Sequence, residues 1–386
     1  MRIALFGDFM FNLASGLRIY SDHEISLFLD AQTVPHCLID EPLLADKSLV
    51  NIENSISISD LLNPRLSRLS KCLSNYDLAI VSGIGAVFAQ AAGIDYFFVP
   101  NGSDLTQWPF PIRTRSIRPR GKPDLLAAIV AARMRPAIRS ATRIWASPFR
   151  QNRLAVERLG CPLDGWHPAA VNCDVFEPGQ ALSRSVSAPD TLRVFHPTRI
   201  MLSNATVWRD TGGMKRQEVL IKGFALAVGS GINSRLVLIE RGMSEDELLL
   251  KALISTLGLD QYVDWIRPPS SNGFTWRQMV SLYQSADVVV DDFQGWFGLV
   301  AIEAAACGKL VINDLEQSVM KYLYPDGYPF VQASCENEVS TILIEMFEKL
   351  SSVPISYESR EWALKNHSIE SVTTTYLSRL SESGVY

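Results

Sequence analysis

Residues 286–314 read ADVVVDDFQGWFGLVAIEAAACGKLVIND. The aliphatic run at 288–290 is typical of a strand that is buried on both faces of a parallel sheet. A loop follows and ends at Gly298, an apolar helical stretch begins near Leu299, and a second aliphatic run follows that helix. This stretch therefore predicts a strand–helix–strand unit of an α/β sheet.

Similar units are predicted on both sides of this stretch, because short β-branched or aliphatic runs alternate with segments of helical periodicity. The predicted strands of the first half are Arg2–Phe6, Ile25–Leu29, Asp77–Val81, Tyr96–Val99, Arg143–Ala146 and Gly165–Ala169. Those of the second half are Leu192–His196, Ser234–Ile239, Tyr262–Ile266, Asp287–Val290 and Lys309–Ile312. We expect an α/β fold made of two Rossmann-like, doubly wound domains that face a central cleft.

The chain of 386 residues is long enough for two domains. Residues 176–190, FEPGQALSRSVSAPD, are rich in Pro, Gly and Ser and lack a periodic apolar face, so the boundary is predicted there. The predicted domains are 1–183 and 184–357. Residues 358–386 are predicted to form one or two further helices.

Composition excludes several classes of protein. A net charge of −5 argues against a general nucleic-acid binder. The six cysteines show no spacing typical of a metal site, and no apolar run approaches the ~20 residues needed to span a bilayer. The N-terminal run MRIALFGDF has no features of a secretory signal, so we expect a cytoplasmic protein that is either soluble or peripheral on the inner face of the membrane.

The loop-to-helix junction at Gly298 predicts an anion site. A glycine directly before a helix lets a ligand approach the N–H groups of the first turn, here those of Leu299 and Val300, and the helix dipole favours a diphosphate. Glu303 lies one turn further on, where its carboxylate can accept hydrogen bonds from two ribose hydroxyls. The alternative is a unit without a ligand, in which Gly298 is a turn residue and Glu303 is solvated.

The segment FGLVAIEAAACGKLVI, residues 297–312, resembles the C-terminal signature of family-four retaining glycosyltransferases, EGFGxxxxEAxAxG followed by an apolar strand. The resemblance implies the GT-B fold, with a nucleotide-sugar donor held by the C-terminal domain and with the C-terminal helices, residues 358–386, crossing back to an N-terminal domain that binds the acceptor. It also implies that Glu303 binds ribose. The first glutamate of the signature falls on Gly295, where this chain departs from the pattern.

Asp291 and Asp292 are the nearest carboxylates that could replace that missing glutamate, and Asp292 is our catalytic candidate. A metal site on this pair is the less favoured interpretation, because no histidine or third carboxylate is in view. The resemblance implies a transfer without a metal or any other cofactor, in which basic side chains stabilise the leaving diphosphate.

Two basic residues in FHPTRIMLSNATVWRDTGGMKRQEVLIKGFALA, residues 195–227, match the family's phosphate-binding cations. They are Arg199, after the first strand of the C-terminal domain, and Lys215, at the head of the next helix. Fixed cations stabilise a leaving group that gains charge in the transition state. The loop between them is longer than usual, and Arg216 replaces a common glycine. The alternative is two exposed basic residues near a turn.

Three further segments fit the same template. RLVLIERG, residues 235–242, resembles a strand that ends beside the nucleotide, with Gly242 as a close-approach point. LFGDFMFNLASGLRIY resembles a strand and a glycine-bearing loop over the donor, with Gly16 in that loop. VPNGSDL, residues 99–105, resembles an HGxD stretch in which Asn101 replaces the histidine, so that Asn101 positions the sugar but exchanges no proton.

Residues 111–143 contain nine basic residues and one acid, a net +8 in a chain of net −5. Apolar residues are interleaved with them, so we expect an amphipathic basic surface that docks on an anionic membrane or binds the acceptor. A solvated basic helix pair or an anionic-sugar site is the alternative. The acceptor or membrane candidates are Arg113, Arg115, Arg118, Arg120 and Lys122.

The resemblance implies that the protein moves a sugar from a nucleoside-diphosphate sugar to a glycan or lipid-linked glycan acceptor with retention of configuration, in surface polysaccharide synthesis. A catalytically lapsed binding subunit is one alternative, since Gly295 and Asn101 stand where the family has reactive side chains. A nucleotide-sugar epimerase or an inverting transferase is another.

Overall fold

A computed structural model describes residues 1–30, 45–53, 56–110, 125–179, 190–202, 215–242, 244–269, 273–349 and 356–382. The chain divides into two compact units, Met1–Ala170 with Ile369–Tyr386, and Val171–Ser368. The boundary predicted after residue 183 lies outside the described residues.

The first unit is built on a six-stranded parallel sheet in the order β3-β2-β1-β4-β5-β6. The strands are β1 (Arg2–Phe6), β2 (Glu24–Asp30), β3 (Val50–Glu53), β4 (Leu78–Val81), β5 (Asp95–Phe98) and β6 (Arg143–Ile144). The helices described are α1 (Phe11–Tyr20), α2 (Ile58–Leu62), α3 (Arg68–Leu73), α4 (Gly85–Ala92), α5 (Ser103–Thr106), α6 (Leu125–Arg139), α7 (Arg150–Leu159) and the last helix of the chain, α15 (Ile369–Glu382).

The second unit has the same strand pattern, with a six-stranded parallel sheet in the order β12-β11-β10-β7-β8-β9. The strands are β7 (Leu192–His196), β8 (Ser234–Ile239), β9 (Val263–Ile266), β10 (Val288–Val290), β11 (Leu310–Asn313) and β12 (Phe330–Gln332). The helices described are α8 (Gln217–Gly229), α9 (Glu245–Thr256), α10 (Trp276–Ser285), α11 (Leu299–Ala306), α12 (Gln317–Leu323), α13 (Glu336–Glu348) and α14 (Tyr357–His367).

Each sheet is covered by apolar side chains on its faces, as the near-continuous aliphatic runs predict. In the second unit Val194, Leu236, Val288 and Ile312 come from four adjacent strands and are fully buried in one cluster. Among the described residues, none of the helices has the length and apolar character needed to cross a membrane.

One predicted strand is wrong and two strands were missed. Gly165–Ala169 is not a strand: Gly165 makes only an isolated bridge to Trp145, and Pro168 has no N–H to donate to a ladder. The missed strands, Val50–Glu53 and Phe330–Gln332, are each one of the two outer strands of their sheet. Outer strands are short and carry polar residues, so their sequence signal is weak.

The prediction that Gly16 lies in a loop is also wrong. Gly16 is in the middle of α1, which packs against α15, and a Cβ atom there would lie 2.0 Å from Thr373 Oγ1 and 2.8 Å from Ile369 Cγ2. The glycine is therefore needed for the close packing of two helices.

We expect Gly16→Ala to destabilise the first unit, because forcing a methyl group into a filled site costs about 1–3 kcal/mol. Gly229→Ala is the matched control, since a Cβ at this helical glycine would meet no atom within 4 Å. Chemical denaturation of both variants measures the difference. Equal stabilities would show that the packing argument is incorrect.

Candidate functional site

The candidate site lies at the carboxyl ends of β7 and β10, which are neighbours in the sheet although the chain forms two strands between them. Ligands of doubly wound sheets bind at such a switch point, because the crossover connections leave a crevice there. The two strand ends are joined by hydrogen bonds from Thr198 Oγ1 to the Asp291 carbonyl (2.8 Å) and between His196 Nδ1 and the Val290 carbonyl (2.8 Å).

Gly298 caps the N-terminus of α11 and leaves room for a ligand there. Its φ of −104° is accessible to any residue. The nearest atoms to a Cβ built at this position would be the carboxylate oxygens of Asp291, at 3.9 Å. Neither the backbone nor the packing of the described residues requires glycine at this position. The open space beside Gly298 adjoins the first turn of α11, where the N–H groups of Leu299 and Val300 lack intrahelical partners.

Asp291 is fully buried at the end of β10 and holds the loop that follows. Its Oδ2 accepts hydrogen bonds from Gly298 N (2.8 Å) and Asn313 Nδ2 (3.1 Å). Burial raises the pKa of this carboxyl, and the neighbouring charge of Asp292 raises it further. Asp291 therefore organises the start of α11 from beneath the site.

Asp292 is 1% exposed and pairs with Lys215, whose Nζ lies 2.7 Å from its Oδ2. Gln294 Nε2 donates to the same oxygen at 3.1 Å. Gly295, at the position of the signature's first glutamate, has a φ of +91°, where a side chain is strained. Within the described ranges, no three His, Cys, Asp or Glu side chains are grouped so that they could hold a metal ion.

Three cations surround the ends of β7 and β8. Lys215 is anchored by Asp292, whereas Arg199 is exposed beyond the end of β7. Arg241 follows β8, and its guanidinium donates to the Pro197 carbonyl at 2.9 Å. Desolvation lowers the pKa of Arg241, and the positive charge of Arg199 lowers it further. Arg199 and Arg241 are therefore close enough to repel each other, which favours an anion beside them.

Burial keeps His196 neutral, and the nearby cations act in the same direction. The side chain is 1% exposed, and burial, followed by the charges of Lys215 and Arg241, lowers its pKa to about 4. With its Nδ1 bonded to a strand carbonyl, His196 is a structural residue at this switch point.

Glu303 lies on α11 and is held by Tyr283, whose hydroxyl donates to Glu303 Oε2 at 2.8 Å. Tyr283 is fully buried at the end of α10. Burial raises the pKa of Glu303 to about 7, against the opposing effect of the Tyr283 hydrogen bond. Glu303 is thus a partly buried carboxyl group held by a hydrogen bond, rather than one on a fully solvated face.

The other predicted site residues are spread over both units. Gly242 has a φ of +99°, and no atom lies within 4 Å of a Cβ built there. Asn101, in the first unit, is exposed, and its main-chain N–H donates to Asp104 Oδ1 at 2.8 Å. Arg113, Arg115, Arg118, Arg120 and Lys122 lie outside the described residues.

Arg241 and Tyr283 are site residues that we did not predict. Arg241 immediately precedes Gly242, so the glycine-terminated strand was a signal for its position. Tyr283 is twenty residues before Glu303, and no local pattern links the two. Only the pairing of elements across the sheet reveals that contact.

Because Glu303 titrates abnormally, Glu303→Gln should change how stability depends on pH. A carboxyl whose pKa rises from 4.5 to about 7 on folding stabilises the fold at low pH, and that stability is lost as the pH rises through about 7. We expect the variant to lose less stability between pH 4.5 and 8, and to exceed the unmodified protein by about 1 kcal/mol at pH 8 without ligand.

Denaturation at several pH values provides the measurement. Tyr283→Phe is the complementary variant, because removing the hydrogen bond that lowers the pKa of Glu303 should steepen the same loss. Parallel curves for Glu303→Gln and the unmodified protein would contradict the burial of this carboxylate.

Comparison with known proteins adds to this geometry. No protein-family model matches the chain, and no curated protein does. Among solved structures, HepE (Alr3699) of Anabaena, solved with UDP and glucose, is 16% identical, with 99% of this chain and 100% of that chain covered and a TM-score of 0.66. Sucrose-phosphate synthase of Thermosynechococcus elongatus is 13% identical, with coverages of 99% and 98% and a TM-score of 0.64. A glycosyltransferase of Rickettsia africae is 16% identical, with coverages of 99% and 98% and a TM-score of 0.62.

These likenesses extend over the whole chain and agree with two six-stranded parallel sheets of identical strand pattern. The predicted fold class is confirmed: the chain has the two-domain α/β fold of GT-B glycosyltransferases.

Proposed function

We propose that the second unit binds a nucleoside-diphosphate sugar and that the protein transfers its sugar to a glycan or lipid-linked glycan acceptor. One observation carries the proposal: adjacent buried carboxylates hold an ammonium group and a helix N-terminus together, Asp292 with Lys215 at 2.7 Å and Asp291 with Gly298 N at 2.8 Å. Lys215 and the first turn of α11 both favour phosphate. The UDP named with HepE is a ligand of this chemistry.

In the proposed complex the diphosphate lies at the start of α11, against the main chain of Gly298, Leu299 and Val300. Ribose lies over Glu303, whose carboxylate accepts hydrogen bonds from the ribose hydroxyl groups while Tyr283 holds it in place. Gly242 lets the donor pass close to the end of β8, because no atom of the described protein lies within 4 Å of the position that a Cβ atom would take there.

Catalysis then comes from the cations. Negative charge develops on the diphosphate as the glycosidic bond breaks, so Arg199, Lys215 and Arg241 stabilise the transition state more than the ground state. We propose retention of configuration, with the acceptor attacking from the face that the diphosphate leaves and a donor phosphate oxygen taking the acceptor proton. Asp292 fixes Lys215 in this scheme, and Asn101 positions the sugar. No metal ion or other cofactor takes part.

A second candidate function is a catalytically lapsed nucleotide-binding subunit. The left-handed Gly295 favours it, because a carboxylate side chain at that position would be strained. A donor-hydrolysis assay separates the two functions: a lapsed subunit binds nucleotide but releases no sugar from any donor.

Arg199→Ala should weaken binding of the nucleoside diphosphate by about tenfold to a hundredfold, because a charge-assisted hydrogen bond contributes roughly 1.5–3 kcal/mol. The fold should be unaffected, since Arg199 is exposed. Titration calorimetry with UDP and GDP measures the loss. Lys222→Ala, an exposed lysine on α8, is the control and should change the dissociation constant less than twofold.

Glu303→Gln belongs in the same series, and it should lose nucleotide affinity while gaining stability at pH 8. If neither UDP nor GDP binds the unmodified protein, the proposed function is wrong.

We also propose that the first unit works as a peripheral cytoplasmic domain on the inner face of the membrane. Described residues support this: α6, which lies within the basic segment 111–143, begins with Leu125 (71% exposed) and Leu126 (45% exposed). Its Arg133 donates to the Leu62 carbonyl of α2, so the two helices are neighbours, and α2 exposes Ile58 and Leu62. Exposed apolar residues beside cations suit an anionic lipid surface. Each cation close to that surface contributes about 1 kcal/mol to the free energy of binding.

Co-sedimentation with vesicles tests the membrane proposal. At low salt the protein should pellet with anionic but not with neutral liposomes, and Leu125→Glu/Leu126→Glu should reduce the bound fraction several-fold. Leu154→Glu, at a leucine of α7 that is 42% exposed, is the control. Equal pelleting with both kinds of liposome would refute this part of the proposal.

A further inference from the structure

Arg216 has an unusual backbone. It has a φ of +52° and a ψ of +42°, and it is the only non-glycine residue with a positive φ in the described part of the chain. A side chain in this left-handed region costs free energy, and such residues persist only where surrounding contacts hold them. This strained residue is next to Lys215, so the contacts that hold its conformation also affect the candidate site.

Lys215 is fixed to the loop after β10 at two points. Its carbonyl accepts a hydrogen bond from Phe293 N at 3.2 Å, and its Nζ lies 2.7 Å from Asp292 Oδ2. Helix α8 starts at Gln217, two residues after Lys215, and the Arg216 carbonyl accepts its first bond, from Val219 N at 3.0 Å. Arg216, in its left-handed conformation, therefore links the anchored Lys215 to the start of α8.

The side chain of Arg216 is fixed to a different part of the sheet. Its guanidinium lies 3.4 Å from Asp314 Oδ2 and donates to the Ser334 carbonyl at 3.2 Å. Asp314 follows β11 and is itself held, since its main-chain N–H donates to the Asp292 carbonyl at 3.1 Å and its Oδ1 accepts from Gln332 at 2.8 Å. Consecutive basic residues are thus tied to the loops after three neighbouring strands.

We propose that Arg216 is a positioning residue for Lys215: through Asp314 and the Ser334 carbonyl it pins the left-handed backbone that directs the ammonium group into the phosphate site. This inference rests on the proposed function, in which Lys215 contacts the donor diphosphate. The competing explanation is a merely structural role for Arg216. In that case its partly exposed ion pair would add little to stability and would have no specific effect on the binding of a ligand.

The test compares ligands that differ only in their phosphates. We expect Arg216→Ala and Asp314→Asn each to weaken UDP, or GDP if that is the nucleotide bound, by about tenfold, the range of one lost charged hydrogen bond. Affinity for uridine or guanosine, which cannot reach Lys215 through a phosphate, should change less than twofold. The double variant should be no weaker than the weaker single variant, because both changes break one connection.

Two further variants separate folding from positioning. Arg216→Gly removes the guanidinium but tolerates the left-handed backbone, so it should melt at a higher temperature than Arg216→Ala and still lose diphosphate affinity. Arg235→Ala breaks a comparably exposed ion pair with Asp264 on β8 and β9, and it should leave both affinities unchanged.

The outcomes are distinguishable. If Lys215→Met/Asp292→Asn, which removes the buried pair together, loses diphosphate affinity while the Arg216 and Asp314 variants bind like the unmodified protein, the positioning role is refuted and the proposed function stands. If diphosphate and nucleoside affinities fall equally in the Arg216 variants, the role is structural and the inference is again refuted. If the Lys215→Met/Asp292→Asn variant keeps full affinity, the proposed function itself fails.

Discussion

The arrangement of the second unit around its candidate site depends on two adjacent carboxylates. They are buried at the end of β10, a central strand of the sheet. Asp291 and Asp292 are 0% and 1% exposed, and a buried charge that lacks partners costs several kcal/mol. Their partners are therefore fixed in turn: Gly298 N and Asn313 for Asp291, and Lys215 for Asp292. The start of α11, the end of β11 and the segment before α8 are held at one point because these acids must be satisfied.

This constraint also balances charge around the site. Lys215 neutralises Asp292, and the raised pKa of Asp291 means that it carries less negative charge near neutral pH than a solvated aspartate. Of the three cations named at this site, Arg199 and Arg241 have no carboxylate partner in the ion pairs found among the described residues. Of the two buried acids, only Asp292 has a cation as its partner, whereas Asp291 is held by the Gly298 N–H and Asn313.

The sequence predicted most of the fold because its signals are local. Buried parallel strands such as Leu192–His196 and Ser234–Ile239 are continuous aliphatic runs, and the structure has both with the predicted bounds. The strand at Gly165–Ala169 failed because apolar content alone does not account for a proline without an N–H.

The site was less predictable, because its decisive contacts join residues that are far apart in the chain. The contact between Tyr283 and Glu303 depends on how two helices lie against the sheet, and the bond between Arg241 and the Pro197 carbonyl depends on the pairing of β7 with β8. Gly16 shows the opposite error. A glycine after a strand suggests an approach to a ligand, but the side chain that packs against Gly16 is Thr373, which lies 357 residues further along the chain.

The first unit shares the strand order of the second but not its arrangement of charges. Its sheet has the same pattern, and its buried acid near the corresponding strand ends is Asp104. Asp104 accepts hydrogen bonds from the main-chain N–H groups of Gly83 and Asn101, both at 2.8 Å, and burial raises its pKa to about 6. It therefore holds two loops together, as Asp291 does, but the next residue in the chain is Leu105 rather than a second acid that binds a lysine. One fold thus carries a buried carboxylate in both units, but of the two only Asp291 is followed by an acid that pairs with a lysine, and the proposed phosphate site rests on that difference.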